Sequence, residues 1–202
     1  MGENGSVTRR NFLAGCCAAM GAVAVGASAI PAVSAWRVAS DLVFGLTEKE
    51  IDLSGIKPGE MKVEGLSLKR ETLIGTDELV VPIMILRRKP EWVREMEAVK
   101  YNLKEPIEAN ERYLNPEWFV ARAFCTHLGC TPNIIDESSK PVNIVCPCHG
   151  GRFDTVGRII SGPPPSNLYL VPYRFVTEAR INLFVSTPQD ITLTKVSAFQ
   201  KA

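Results

Sequence analysis

Cys125-Thr126-His127-Leu128-Gly129-Cys130 and Cys146-Pro147-Cys148-His149-Gly150-Gly151 are the two stretches on which the reading of this chain turns. Four of its six cysteines and both of its histidines fall within residues 125–149. Each stretch offers one Cys and one His as ligands, with a further Cys beside them, and eighteen residues separate His127 from Cys146. Thiolates suit soft metals and iron–sulfur clusters, and imidazole suits iron and zinc. Three readings stand open at this level. A structural zinc site needs four ligands, and Cys125, His127, Cys146 and His149 supply them. That reading leaves Cys130 and Cys148, at matching positions in the two loops, without a role. A metal-free framework of two disulfides leaves both histidines idle. A [2Fe–2S] centre with two Cys on one iron and two His on the other uses the same four ligands as zinc.

The mixed ligand set has a chemical consequence. Replacing two thiolates by neutral imidazoles removes two negative charges, so the cluster accepts an electron at a higher potential. The ligand histidines also become more basic on reduction, which links electron uptake to proton uptake.

Outward from these loops, the chain has 202 residues and a net charge of +1, enough for one ordinary domain and an appendage and with nothing that points to nucleic acid. Residues 1–10 include Arg9 and Arg10, followed by Phe12 and Leu13, the twin-arginine pattern of a bacterial export signal. Asn11 to Trp36 is a run without formal charge, long enough as a helix to reach about 39 Å, against about 30 Å of hydrocarbon. A signal-peptide core is shorter, about 7–15 residues. Cleavage near Ala27-Ser28-Ala29 is the alternative, but the length and the Trp36-Arg37 border favour a persistent transmembrane anchor over 11–36. The positive-inside bias then puts the N-terminus in the cytoplasm and the rest outside. Cys16 and Cys17, adjacent on that helix, read as small apolar filler. Residues 37–50 lack clean periodicity and read as a tether.

From Ile51 to the C-terminus, residues 51–202, the chain reads as one all-β antiparallel head with a motif-bearing insert. A turn is expected at Ile56-Lys57-Pro58-Gly59-Glu60. Leu79–Leu86 reads as a buried strand. Pro90 opens a short charged helix over Glu91–Tyr101. Further strands are expected over Trp118–Phe124, Val142–Val145, Leu168–Leu170, Phe175–Val176 and Arg180–Val185.

With these residues in hand, CTHLGC followed by CPCHGG resembles the motif pair of Rieske iron–sulfur proteins, and more closely the iron–sulfur subunit of the bacterial cytochrome bc complex. The twin-arginine anchor, IDLSGIKPGE, NPEWFVARAFCTHLGC and the proline-rich Gly162-Pro163-Pro164-Pro165 share in the resemblance. It implies a Rieske fold with a two-loop cluster-binding subdomain, about 123–173, on one N-terminal transmembrane helix. It implies one [2Fe–2S] cluster, with Cys125 and Cys146 on one iron and His127 and His149 on the other. It also implies a Cys130–Cys148 disulfide tying the loops together, in keeping with an oxidising periplasm. Leu128 and residues 162–165 would cover the cluster. His149, aided by His127, would meet quinol and take its electron and proton.

The implied partners are a cytochrome b subunit, a cytochrome c-type subunit, quinol and the lipid bilayer, in a dimeric complex of the bacterial inner membrane with the head in the periplasm. The alternative is the Rieske small subunit of arsenite oxidase. A Rieske ferredoxin or oxygenase domain fits less well, because an oxygenase needs a second iron site that two histidines cannot furnish. One departure stands out. High-potential members carry Ser and Tyr where this chain has Gly151 and Phe153, and both hydroxyls donate to sulfur. Their absence implies a low-potential centre, suited to a menaquinol.

Overall fold

The apolar run Leu79–Leu86 forms the inner part of strand β3 (Gly75–Arg87), which lies between β2 (Met61–Thr72) and β4 (Trp118–Arg122) in an antiparallel sheet. Val81, Ile83, Met84, Ile85 and Leu86 are all buried. A strand covered on both faces reads as a continuous apolar run instead of an alternating one. Leu79 and Val80, at the start of the run, are about half-exposed, because β4 pairs only with Ile83–Arg87. Pro82 is tolerated where β4 ends: its carbonyl still accepts the Ala123 N–H at 2.8 Å, and no donor is required of it there.

The computed structural model describes residues 47–72, 75–98, 102–135, 143–185, 190 and 192–201. All of them belong to the unit Val43–Ala202. The twin-arginine motif, the expected anchor, Cys16, Cys17 and the first part of the tether lie outside the described residues. Among the described residues no helix is long and apolar enough to cross a membrane.

A second antiparallel sheet runs β1 (Thr47–Asp52), β10 (Arg180–Val185), β9 (Tyr173–Thr177). Thr47–Glu50, assigned to the tether from sequence, are therefore strand residues paired with Glu50↔Asn182 and Thr47↔Val185 at the ends of that register. Lys49 donates to Glu64 at 3.1 Å, and Arg180 donates to Glu50 at 3.0 Å. Ile181, Leu183 and Val185 point into the core. The expected strand Leu168–Leu170 is not one: Leu170 makes isolated bridges to Ala121 and Leu193. The helix α1 covers Pro90–Ala98, with Pro90 in the first turn and Trp92 and Met96, one turn apart, buried.

The third sheet is made of short strands, β5 (Asn133–Ile135), β6 (Asn143–Val145), β7 (Arg152–Phe153) and β8 (Ile159–Ser161), in that order. It lies within the expected cluster-binding segment. The first Cys/His loop connects β4 to β5, the second connects β6 to β7, and the proline-rich loop leaves β8. The β7–β8 turn is locked by Asp154, whose Oδ1 accepts the Val156 and Arg158 N–H groups and whose Oδ2 accepts Arg158 Nε at 2.6 Å. Beneath it Arg112, fully buried, donates to the carbonyls of Val156, Gly157, Leu168 and Thr194. Burial lowers its pKa to about 10, so it stays charged at neutral pH.

Candidate metal centre

Each Cys/His loop closes on itself in the same way. Cys125 N–H donates to Cys130 O at 2.8 Å, and Gly129 N–H donates to Cys125 O at 2.9 Å. Likewise Cys146 N–H donates to Gly151 O at 2.8 Å, and Gly150 N–H donates to Cys146 O at 3.0 Å. Gly129 and Gly150 take φ of +85° and +69°, a left-handed backbone that favours glycine. This pattern equates Gly129 with Gly150, and therefore Cys130 with Gly151 and His127 with Cys148. The two extra cysteines do not sit at matching positions, which corrects the expectation drawn from spacing. Cys130 closes its loop, and Cys148 stands in the middle of the other.

Those two cysteines are joined by a disulfide, with an S–S distance of 2.09 Å and Cα atoms 6.6 Å apart. Cys125 and Cys146 remain free thiols and are buried. The sulfurs of Cys130, Cys146 and Cys148 lie within 4.8 Å of one another, but the disulfide removes two of them as ligands and leaves Cys146. Cys125 and Cys146 interact directly: burial raises the Cys125 thiol pKa, the His127 backbone N–H donating to its sulfur opposes that, and Cys146 raises it further. The rings of His127 and His149 meet edge to face with centroids 4.7 Å apart. His149 is exposed, and His127 is partly exposed with a buried Nδ1 that has no hydrogen-bond partner.

Two free thiols and two imidazoles are thus collected on two loops bound to each other. A buried imidazole nitrogen without a partner carries a desolvation cost that a metal would relieve. The donor set fits a [2Fe–2S] cluster with Cys125, Cys146, His127 and His149 as its holders. Both sulfurs beside it are already bonded to each other, which answers the objection that a four-ligand site leaves them idle.

The residues expected around the site divide by burial. Leu128 is 72% exposed at the tip of the first loop. Gly162, Pro163 and Pro165 are exposed, whereas Pro164 and Gly151 are buried. Phe153 is fully buried in β7, opposite Ile144 and Ile159. Sequence reasoning missed what holds the proline-rich loop. Lys104 Nζ donates to Gly162 O, and Thr126 Oγ1 donates to Ser166 O at 2.6 Å. Asn167 N–H donates to Glu105 Oε2 at 2.7 Å, while Asn167 Nδ2 donates to Glu105 O at 3.1 Å. Residues 102–108 thus form a strap along the cover loop. No periodicity or motif marks that strap in the sequence, because each of its bonds has a backbone group, which any residue supplies, on one side.

Comparison with known proteins agrees with this chemistry. The model of the Rieske [2Fe-2S] domain matches residues 75–178. The ubiquinol-cytochrome c reductase iron-sulfur subunit of Rickettsia felis is 30% identical over 184 residues, covering 90% of this chain and 96% of that one. The mitochondrial Rieske subunit of the cytochrome b-c1 complex from Schizosaccharomyces pombe is 35% identical over 71% of this chain and 57% of its own length. A solved structure, the plasma membrane Rieske protein PetC3 of the cyanobacterium Synechocystis PCC 6803, is similar at 20% identity and a TM-score of 0.33. The likeness covers 58% of this chain and 84% of that one.

Proposed function

The chain belongs to the Rieske [2Fe–2S] family, among the iron–sulfur subunits of cytochrome bc complexes, and from that premise we propose that it passes electrons from quinol to a cytochrome c-type haem. The single observation that carries the site assignment is the pair of free thiols and pair of imidazoles brought together by the Cys130–Cys148 bridge. When bound, the cluster supplies a one-electron acceptor. The chain's own residues do the rest. His149, exposed, would accept the hydrogen bond of a quinol hydroxyl and take its proton on a ring nitrogen not used to hold the cluster. Leu128, exposed on the first ligand loop next to His127 in the chain, supplies apolar contact for a quinol ring or a partner surface. Cys125 and Cys146 are buried, so the sulfurs that would hold the cluster are shielded from water.

The implied assembly is a cytochrome b subunit, a cytochrome c-type subunit and this head, dimeric, on a bacterial inner membrane with the N-terminus cytoplasmic. A head on a tether can visit both a quinol site and a haem, which one fixed position cannot. Gly151 and Phe153 support a low potential and a menaquinol-type donor. Neither offers a hydroxyl to sulfur, and Phe153 is packed in the core. A hydrogen bond to a charged acceptor is worth about 1.5–3 kcal/mol. Counting only the difference between redox states, roughly 1–2 kcal/mol per bond, two missing donors lower the potential by on the order of 100–150 mV.

The test is a redox titration of the loaded protein, followed by electron paramagnetic resonance. A midpoint in the lower part of the Rieske range, below the bc-type centres that carry both hydroxyls, is expected. A midpoint in the upper range would remove the low-potential reading. Co-purification with a molybdopterin subunit in place of a b-type cytochrome would move the assignment to arsenite oxidase.

A further inference from the structure

The cover loop approaches the second ligand loop through atoms that no side chain at residue 151 would permit. A Cβ placed on Gly151 would stand 2.5 Å from Pro164 Cγ, 2.9 Å from Pro164 Cδ and 3.7 Å from Cys125 Sγ. Contacts under 3.0 Å are not sustained by real side chains, so the proline ring and a residue larger than glycine at 151 are mutually exclusive as the loop now sits. The loop is close at a second point. A Cβ on Gly162, whose φ is +96°, would meet Gly151 Cα at 2.8 Å and Gly150 O at 2.9 Å. Nor is the loop free to drift outward. It is held by Lys104 at Gly162, by Thr126 at Ser166 and by Glu105 at Asn167.

We propose that Gly151 and Pro164 act as one coupled pair: the proline ring occupies the volume that a side chain at 151 would take, and so excludes hydroxyl donors and water from that flank of Cys125. Pro164 is a positioning residue in this account. It touches neither substrate nor the reacting atoms, but it settles what stands beside a ligand sulfur. The proposal rests on Cys125 as a cluster ligand and deepens the low-potential reading. The missing hydroxyl at 151 and the closed loop are one structural change. A serine introduced at 151 therefore has no place to put its hydroxyl until the ring at 164 is removed.

Two substitutions and their combination test this. Pro164→Ala removes Cγ and Cδ, the two clashing atoms. Pro165 follows, so the extended region stays favoured at 164 in the variant. The midpoint potential and the temperature at which the cluster absorbance bleaches are measured for the loaded wild type, G151S, P164A and G151S/P164A. G151S alone is expected to change the reduction equilibrium constant less than twofold and to lower the bleaching temperature. Relative to P164A, the double variant is expected to favour reduction about tenfold, or roughly 59 mV for one electron, without that loss of stability. G151A adds the Cβ without a hydroxyl and isolates the steric part. It should lower the bleaching temperature in the wild-type background and not in the P164A background. Additive effects, with serine acting equally whether or not proline is present, overturn the coupling. The absolute wild-type potential is read separately, so a high potential would sink the low-potential reading while the non-additivity still reports on the pair.

Discussion

Asn167 offers a sharp test of the strap, because a single buried side chain joins it to both the cover loop and β8. Asn167 is fully buried, its Oδ1 accepts Ile159 N–H at 2.7 Å, and its Nδ2 donates to Glu105 O at 3.1 Å. Asn167→Leu keeps a similar volume while removing both functions. Ile159 is itself fully buried, so its N–H loses its acceptor where no water replaces it. An unsatisfied buried donor costs about 1–3 kcal/mol, and the lost Nδ2 bond adds about 1 kcal/mol, less than a fully buried one because Glu105 is partly exposed. The added apolar burial of Leu offsets about 1 kcal/mol. The net loss is about 1–3 kcal/mol. The assay is amide hydrogen exchange on the loaded protein, which needs no reversible unfolding. Amides of β3 and β4, such as those of Ile85 and Val120, exchange through the largest openings. They should exchange roughly 5- to 150-fold faster in the variant. Exchange within twofold of wild type at those amides would refute the claim that Asn167 ties the strap to the core.

Gly157→Ala should be among the most destabilising single-methyl additions in the head. Gly157 has φ +72°, and a Cβ there would lie 2.6 Å from Phe119 Cζ and 3.0 Å from Leu168 Cβ. The left-handed backbone costs about 1–2 kcal/mol and the overpacking about 1–3 kcal/mol. The thermal midpoint by circular dichroism should fall by on the order of 5–20 °C, and a fall under about 2 °C would contradict the packing. Tyr173, buried with its hydroxyl accepting Leu114 N–H at 3.1 Å, has its pKa raised from 10.0 to about 12 by desolvation. Between those values the unfolded chain binds fewer protons than the folded one. The contribution of Tyr173 is therefore full below pH 10 and is lost as pH rises through about 12. Phenolate absorbance of the native protein should include one late titration that Tyr173→Phe removes, and the variant should show a flatter loss of stability over that window. An unchanged alkaline titration in Tyr173→Phe would contradict the assignment.

The ligand loops were legible because Cys and His at such density have no role in an ordinary core. β3 was legible because a strand covered on both faces needs an unbroken apolar run. β1 was not. Thr47–Asp52 reads TEKEID, and Glu48, Lys49 and Glu50 pair with Arg174, Glu64 and Arg180, distant in the chain. Without that partner information a half-exposed strand looks like a charged linker. The false strand Leu168–Leu170 fails for the opposite reason. Its leucines are buried and apolar, but Leu168 N–H and Leu170 N–H go to Gly157 O and Leu193 O, so no ladder forms.

The same limit governs the residues around the metal centre. Spacing suggested that Cys130 and Cys148 were equivalent, but backbone closure equates Cys130 with Gly151. The disulfide therefore joins the end of one loop to the middle of the other, and the place equivalent to Cys130 in the second loop is left to a glycine. At that place the sequence registers a subtraction, a hydroxyl that is not there. The structure registers an addition, because the space is filled by Pro164 and the loop it carries. An account built on the hydroxyl alone predicts that serine at 151 restores a higher potential by itself. The packing predicts that it does not, since the donor and the proline compete for one volume beside Cys125. On the coupling proposed here the potential of this centre is a property of two loops in contact, and residue 151 would act on it only through what residue 164 allows.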